Sequence, residues 1–175
     1  MGEKLNVKDL YMKAAVLRSS EEPSNHITAA HLLHKIVYCK PDGSEECSFW
    51  KGHAAIELAE IYLVGVESCD YVGEDGNIYA DSYIEADLLK SYDLCRRALK
   101  HGCYDGVVII AEIYWMLCDY THAAALYASV IKFGYKGGDN AQKILDEMIA
   151  QGKIEKIPEV LYEPCWDPVL EFWGP

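Results

Sequence analysis

A short motif occurs twice in this chain. Residues 58–62 read Leu-Ala-Glu-Ile-Tyr, and residues 110–114 repeat the motif with one conservative change, as Ile-Ala-Glu-Ile-Tyr. Self-similarity over tens of residues is typical of helical repeat arrays, in which each unit packs on its neighbours. Two glycines positioned to end helices, Gly102 and Gly134, lie 32 residues apart, a spacing that suits a helix-turn-helix repeat. The repeat therefore constrains the fold more than any other feature.

The second copy of the motif lies in a well-patterned helix pair. Apolar residues follow Tyr104 at helical spacing and continue after a turn at residues 118–120: Val107, Ile110, Ala111, Tyr114, Ala123, Tyr127 and Val130. This pattern resembles the tetratricopeptide repeat and the related Sel1-like repeat, in which small residues let two antiparallel helices touch. Gly102, nine residues before Ala111, matches the Sel1-like spacing. The resemblance implies an all-α fold, a short right-handed α-solenoid of about three to four antiparallel helix pairs with one inserted acidic loop.

Glycine and proline signals divide the chain into segments of a single repeat domain over residues 1–175. Residues 66–82 contain several turn signals and no helical period, so we interpret them as the inserted loop. We expect Thr121 to cap the second helix of the best-matched repeat. The predicted segments are a degenerate N-terminal helix pair at 5–40 (helices 5–18 and 26–38), a repeat at 49–101 (helices 49–65 and from 82 or 83 onward), the best-matched repeat at 104–134, a last helix at 138–151 and a tail at 153–175.

The tail differs in composition from the rest of the chain. It holds four of the six prolines, which exclude a strand or a long helix, together with Tyr162, Trp166, Phe172 and Trp173. Four large aromatics seldom face water in a soluble protein. Two interpretations stay open: the tail folds back over the last helix pair, or it is a linear motif offered to a partner.

The charge of the chain limits the classes of partner. A net charge of −12 argues against nucleic acid, which draws most of its affinity from Lys and Arg, and against anionic membrane surfaces. It favours a basic protein or peptide, because long-range attraction speeds encounter. The longest strictly aliphatic run, Val107–Ala111, is far shorter than a membrane span, and no signal peptide is recognisable. Seven cysteines without a regular framework suit free thiols, so we expect a cytoplasmic protein.

The inserted segment has the most unusual electrostatics. From Gly52 to Leu89 the chain has no Lys or Arg. A calcium loop centred on Gly76 fails, because Tyr71 and Gly73 would then occupy ligand positions. A solvated acidic loop and an acidic docking surface both stay open, and interleaved tyrosines favour docking. The acids are Glu57, Glu60, Glu67, Asp70, Glu74, Asp75, Asp81, Glu85 and Asp87, of which Asp70, Glu74 and Asp75 are our candidate binding residues.

The resemblance also implies a concave groove lined by the first helix of each repeat. Trp115 and Met116 beside Glu112 would suit a peptide bearing Lys or Arg, although Trp115 packing against a following helix pair is an equal alternative. Because none of the transferred positions is basic, a peptide carboxylate is not the expected ligand. The transferred residues are His53, Ile56, Glu60, Leu63 and Val64 in one unit, and Asp105, Val108, Glu112, Trp115 and Met116 in the next.

Metal and nucleophile patterns are weak. His31, His34, Cys39, Cys47 and His53 lack the paired spacing of a zinc site, so no metal or other cofactor is expected. His101 and Cys103 flank the helix-ending Gly102 and resemble a nucleophile and its base, but residues placed around such a glycine usually point apart.

These observations predict a non-catalytic module that binds a basic protein or peptide through an acidic groove and loop. A narrower version is an inhibitor or immunity protein of a basic toxin, a hypothesis that rests on charge and size alone. Two alternatives stay open. One is an enzyme or regulatory subunit with a site near the insertion, at His53, Cys69 and Asp70. The other is a structural homo-oligomer formed through the aromatics of the tail.

Overall fold

The structure, a computed structural model, describes residues 6–158. The chain is mostly helical over that range, as predicted, and the all-α prediction is wrong in omitting a two-stranded antiparallel sheet. No helix in this range is both long and apolar enough to span a membrane. In chain order the elements are α1 (Val7–Arg18), α2 (Pro23–Tyr38), α3 (Glu45–Val64), β1 (Val66–Val72), β2 (Ile78–Ile84), α4 (Leu88–Lys100), α5 (Gly106–Met116), α6 (Tyr120–Phe133) and α7 (Gly138–Ala150).

The chain divides into two compact units, the first ending at Cys103 and the second beginning at Tyr104. The first unit contains α1 to α4 and the two strands, and the second contains α5 to α7. A single repeat domain and a continuous solenoid stay predictions. Residues 159–175 of the predicted tail lie outside the described residues, so both interpretations of the tail also stay predictions.

Small residues build the helix contacts of the first unit. In this unit α2 packs on α1 and α3, and α3 packs on α4. Four alanines in α2 and α3 are completely buried: Ala29, Ala54, Ala55 and Ala59. Gly52 lets the residues that follow α4 approach α3 closely, since a Cβ at this glycine would lie 3.0 Å from the Cβ of Cys103. The first copy of the repeated motif thus lies in the helix interface of this unit.

Helix caps move two predicted boundaries toward the N-terminus. The Ser44 side chain accepts a hydrogen bond from the Cys47 amide at 3.1 Å, so α3 begins at Glu45, four residues before the predicted start. Pro23 occupies the first turn of α2, where its missing N–H costs nothing. Helix α2 therefore begins three residues before the predicted His26. Apolar periodicity alone locates the buried face of a helix and misses the polar first turn.

Residues 66–84 form a β-hairpin, and the prediction of an inserted loop is wrong. Val72 pairs with Ile78, and the turn between them closes with a hydrogen bond from the Gly73 amide to the Asn77 carbonyl at 2.8 Å. Gly76 has φ +78°, the left-handed conformation that glycine adopts without strain. Because β2 extends to Ile84, α4 begins only at Leu88, later than predicted.

The second unit contains the helix pair that the sequence describes best. Helix α6 packs on both α5 and α7, and the alanines Ala111, Ala123 and Ala124 are completely buried. Gly134, with φ +67°, ends α6 as predicted. The predicted N-cap Thr121 is wrong. Asp119 caps the helix instead, because its carboxylate accepts the His122 amide at 3.3 Å.

Candidate functional site

The hairpin and the segment leading into α4 form a strongly acidic surface. Residues 66–87 contain seven carboxylates and no Lys or Arg. Six of the seven are exposed, and Asp87 is half-buried. The set consists of Glu67, Asp70, Glu74, Asp75, Asp81, Glu85 and Asp87. We call this set the hairpin acids.

Two hairpin acids at the turn are engaged within the unit. Glu74 pairs with Lys35 of α2, and this hydrogen-bonded ion pair holds the pKa of Glu74 below its usual range. The Asp75 carboxylate accepts hydrogen bonds from the Asn77 amide at 3.1 Å and the Tyr79 hydroxyl at 2.8 Å. These bonds, that of the Asn77 amide first, lower the pKa of Asp75. Predicted site residues Glu74 and Asp75 therefore also order the turn and tie it to α2.

Two more hairpin acids stabilise local backbone. Asp70 Oδ1 accepts the Asp81 amide at 3.0 Å, next to the irregularity in strand pairing between Cys69 and Tyr71. The backbone of Asp81 has φ +50°, and this hydrogen bond helps to hold it in a conformation unusual for a non-glycine residue. Asp87 caps α4 by accepting the Lys90 amide at 3.0 Å, and its carboxylate also lies 3.1 Å from the Lys90 ammonium.

The remaining hairpin acids, Glu67, Asp81 and Glu85, present their carboxylates to solvent. No hydrogen bond or ion pair of these side chains occurs among residues 6–158. An exposed carboxylate without a partner adds charge to the surface without contributing an internal contact. These three residues are therefore the hairpin acids whose carboxylates are least engaged within the unit, although the charge of Glu85 also acts on Lys90.

Aromatic contacts fix the hairpin against α2. The rings of Tyr71 and Tyr79 stack with centroids 5.2 Å apart, one on each strand. Tyr71 also meets His31 of α2 edge to face at 5.6 Å. Tyr71 lies on β1, the strand with more extensive contact to α2, whereas β2 is largely exposed. The sheet thus presents β2 and its tyrosines outward.

A cleft of about 690 Å³ opens beside the hairpin, between α2, the end of β2 and the first turn of α4. We call it the hairpin cleft. A recess of about 350 Å³ shares several of its lining residues and extends along α2 and α4. The exposed side chains at the cleft include Tyr83 (64% exposed) and Leu89 (79% exposed). Its lining includes His31, His34, Tyr62, Tyr83, Glu85 and Leu89.

Ring faces around the hairpin cleft already bind cations of the chain itself. The Lys90 ammonium lies 5.0 Å from the centroid of the Tyr62 ring. The guanidinium of Arg97 lies at the same distance over Tyr38, a lining residue of the recess. Both distances fall within the range at which a ring attracts a cation. The Tyr62 and Tyr38 faces are therefore occupied within the unit, and the ring that the cleft exposes is that of Tyr83, with the Glu85 carboxylate in the same lining.

The groove residues predicted in the first unit are partly committed to internal contacts. Glu60 accepts a hydrogen bond from Arg18 Nη2 at 2.8 Å, and the Nε of the same arginine lies 3.3 Å from Glu57. Ile56 is only 7% exposed, so its predicted place in an open groove is wrong. Leu63 is half-buried and Val64 is 77% exposed. Of these residues, Val64 is the one that faces solvent fully.

His53, also predicted for that groove, lies in an aromatic cluster on α3. Its ring centroid lies 4.3 Å from that of Phe49, and its Nδ1 lies 3.9 Å from Cys103 Sγ. His101, on the other side of Gly102, bonds Ser48 Oγ through its own Nδ1 at 2.8 Å. The expectation that His101 and Cys103 point apart stays a prediction. The histidine that the structure places beside the Cys103 sulfur is His53 of α3, which the sequence analysis did not pair with it.

The groove residues predicted in the second unit lie on α5. Met116 is 54% exposed, whereas Val108, Glu112 and Trp115 are half-buried. Asp105 precedes α5 without making a side-chain cap. Val108 packs against the start of α7, where a Cβ added to Gly137 would lie 3.7 Å from Val108 Cγ2.

The aromatic face of Trp115 is already occupied by the chain itself. The ammonium of Lys153 lies 4.0 Å from the Trp115 ring centroid and 4.6 Å from that of Tyr120. The backbone of Lys153 is fixed by the end of α7, where its amide donates to the Met148 carbonyl at 2.9 Å. The basic side chain that we predicted at Trp115 is therefore Lys153 of the same unit, not a residue of a partner.

Glu112 has an unusual environment for a carboxylate. It is half-buried on α5, and its side chain makes no hydrogen bond or ion pair within the part of the chain that the structure describes. Burial raises the pKa of Glu112, because desolvation penalises the charged form. Burial raises the pKa of the Tyr127 hydroxyl, and the nearby charge of Glu112 adds to the increase. A partly desolvated carboxylate of this kind gains more from a basic ligand than an exposed one does.

Residues considered for metal binding contact other groups. The His34 ring lies 4.4 Å from the Tyr38 ring, and burial lowers the pKa of His34. Cys69 is half-buried on β1. Within residues 6–158, no three or more His, Cys, Asp or Glu side chains are grouped closely enough to hold a metal ion.

One sequence signal could have revealed the hairpin. Asp75-Gly76 lies between two runs rich in tyrosine and β-branched residues, at 66–72 and 78–84. An Asp-Gly pair flanked by such runs is the strongest short-range indication of a β-hairpin. The cleft has no comparable signal, because its walls come from α2, α3, β2 and α4.

Comparison with protein-family models, with curated proteins and with solved structures finds no match to this chain. The likeness to tetratricopeptide and Sel1-like repeats therefore rests on the residues described above and stays a prediction.

Proposed function

We propose that the chain is a non-catalytic interaction module that binds a basic protein or peptide through the hairpin acids and the hairpin cleft. One observation carries the proposal: the exposed carboxylates of Glu67, Asp81 and Glu85 make no hydrogen bond or ion pair within the described residues, and Glu85 lines an open cleft together with Tyr62 and Tyr83. The carboxylates of these three residues make no contact that stabilises the interior of the unit. Surplus charge next to exposed aromatic surface is typical of an interface.

The charges support fast capture of a basic partner. The chain carries a net charge of −12, and the hairpin concentrates seven carboxylates without a basic residue among them. A field of one sign raises the association rate of an oppositely charged partner and is weakened by salt. Such steering acts over about 8 Å at 0.15 M ionic strength. Binding should therefore slow as salt rises.

The cleft supports a side-chain anchor within the same surface. Tyr83 and Leu89 offer exposed apolar area, and Glu85 stands on the rim. Arginine buries its stem on apolar surface while its guanidinium stacks on a ring and bonds a carboxylate. An arginine-rich segment fits these lining groups best.

The wider setting follows from the same residues. We propose that α5 and α6 form a helical repeat unit, supported by their antiparallel packing and by Ala111 at the contact. Six cysteines within the described range form no disulfide, which suits a reducing compartment such as the cytoplasm. Inhibition of a basic toxin is a narrower form of the proposal.

A comparison of two triple variants tests the binding surface. The first carries Glu67→Gln, Asp81→Asn and Glu85→Gln, and the second carries Glu21→Gln, Glu147→Gln and Glu155→Gln. Both remove three exposed carboxylates, but the second set lies outside the hairpin. Wild type and both variants are immobilised, exposed to native lysate and washed at low salt. The retained proteins are identified by mass spectrometry.

We expect wild type and the second variant to retain the same basic protein, and the first variant to lose it. Calorimetry with that purified protein should show a dissociation constant about 3- to 150-fold higher for the first variant, since three exposed ion pairs contribute about 0.2–1 kcal/mol each. Equal binding by both variants would contradict the hairpin as the site. Retention unchanged at high salt would contradict electrostatic steering.

A further inference from the structure

Cys103 and His53 are brought together by the close approach of two helices in the first unit. The loop after α4 packs on Gly52 of α3, where an added Cβ would lie 3.0 Å from the Cβ of Cys103 and 3.1 Å from that of His101. Any larger residue at this position would push the loop away. The contact places Cys103 next to His53, which follows Gly52 in the chain.

The backbone of the loop holds Cys103 in a defined position. Gly102 has φ +77°, and the Cys103 amide donates to the Ala98 carbonyl at 3.0 Å. This arrangement ends the helix and directs Cys103 back toward α3. The sulfur then lies 3.9 Å from His53 Nδ1, within reach of a hydrogen bond to sulfur. Both side chains are half-buried, so small molecules can reach them.

We propose that Cys103 and His53 form a thiol–imidazole pair that makes Cys103 a modification site for soft electrophiles, including low-molecular-weight disulfides. A cysteine becomes reactive through its thiolate, and a neighbouring imidazole stabilises that form by taking the proton. The pair belongs to a cluster of titratable side chains, which distinguishes Cys103 from an isolated exposed thiol.

The modification step with a disulfide balances within the site. His53 Nδ1 accepts the proton of the Cys103 thiol, and the thiolate attacks one sulfur of the disulfide R–S–S–R. A new S–S bond forms to Cys103 as the old S–S bond breaks. The leaving thiolate takes the proton from the His53 imidazolium. The products are a mixed disulfide on Cys103 and one free thiol.

Charged groups from three elements surround the pair. Tyr11 of α1 lies close enough for the charge of Cys103 to contribute to its raised pKa, after burial and Glu57. Arg18 of α1 neutralises part of the negative charge by pairing with Glu57 and Glu60, and His101 lies at the end of α4.

Aromatic rings pack around the imidazole of the pair. Phe49 is 51% exposed, and its ring contacts both His53 and Trp50. The rings of Tyr11 and Trp50 lie 5.0 Å apart. Electrophiles with an aromatic or apolar group should therefore react faster than small polar ones of equal intrinsic reactivity.

The test measures alkylation of each cysteine as a function of pH. The full chain is treated with iodoacetamide between pH 5.5 and 9, and labelled peptides are quantified by mass spectrometry. Cys118, which is exposed in the second unit, serves as the internal reference. The pH midpoint reports the thiolate fraction independently of accessibility. We expect the midpoint of Cys103 to lie at least one pH unit below that of Cys118.

Two variants show whether His53 is responsible. His53→Asn should raise the midpoint of Cys103 toward that of Cys118 and slow its labelling at pH 6.5 at least about fivefold, with Cys118 unchanged. His101→Asn, which disturbs the neighbouring histidine, should leave the Cys103 midpoint in place. If His53→Asn impairs folding, His53→Gln is used with the same readout. Equal midpoints for Cys103 and Cys118 in wild type, or no change in the folded His53 variant, would overturn the proposal.

Discussion

The contact at Gly52 predicts a steric penalty that opposes the usual benefit of alanine in a helix. A Cβ at this position would lie 3.0 Å from Cys103 Cβ and 3.1 Å from His101 Cβ. Carbon atoms in contact prefer about 3.5–4.0 Å, so each contact is too short by about 0.5 Å. Both neighbours are Cβ atoms fixed to the backbone, and neither can turn away.

The expected free-energy change combines two opposing effects. Overpacking a fixed interface costs about 1–3 kcal/mol, whereas replacing glycine by alanine inside a helix gains up to about 1 kcal/mol. Gly52→Ala should therefore lower the free energy of unfolding by about 0–3 kcal/mol. Gly138→Ala in α7 provides the matched control, because an added Cβ there would have no neighbour within 4 Å. The control should be neutral or stabilising by up to about 1 kcal/mol.

Urea denaturation followed by circular dichroism measures both variants under the same conditions. At typical slopes of about 1–3 kcal/mol per M, the midpoints of the two variants should differ by about 0.5–2 M. The Gly52 variant should have the lower midpoint. A Gly52→Ala chain as stable as Gly138→Ala would refute the close approach of the α4 loop to α3, and with it the placement of Cys103 beside His53.

Two further predictions concern the second unit. Burial raises the folded-state pKa of Glu112, so its charge destabilises the fold above that pKa and the penalty disappears as pH falls below the unfolded pKa. Glu112→Gln should therefore raise the thermal midpoint at pH 7 and have little effect near pH 4; a gain that grows on acidification would contradict the burial. Lys153→Met should lower the free energy of unfolding by about 0.5–2 kcal/mol, because it removes the cation–π contacts with Trp115 and Tyr120. The control Lys136→Met, on an exposed loop, should lower it by less than about 0.5 kcal/mol. Equal urea midpoints for the two variants would contradict the contact of Lys153 with the rings.

The elements that could be predicted from sequence are those with local signals. Helix α6 was predictable, because its apolar period ends at Gly134 and glycine readily adopts the left-handed conformation found there. The hairpin also has a local signal in Asp75-Gly76. Its glycines are typical of a loop, but the tyrosine-rich runs on each side indicate two paired strands. The runs that flank the Asp-Gly pair were therefore the better indication of structure in this segment.

The binding chemistry depends on contacts that sequence spacing does not reveal. Glu60 was predicted as a free anchor, but Arg18, 42 residues earlier in the chain, holds it in a hydrogen bond. Trp115 was predicted to attract a lysine from a partner, and the lysine that occupies it is Lys153 of the same unit. Long side chains reach across elements, so only the packed structure shows which charges are satisfied.

The hairpin sheet illustrates the converse case. Glu67, Asp81 and Glu85 belong to the same acidic run as Glu74 and Asp75, and the sequence does not distinguish them. The structure does, because the turn uses the carboxylates of the latter two. The acids that stay free are the ones on which the proposed function depends.

Hydrogen–deuterium exchange of the full chain, with and without the basic protein retained in the capture experiment, locates the surface that the partner covers. We expect slower exchange over β1, β2 and the first turn of α4 when the partner is bound. We also expect exchange in α5, which carries Glu112 and Met116, to be unchanged. Unchanged exchange over residues 66–90, with protection confined to residues 106–116, would contradict the hairpin as the binding surface.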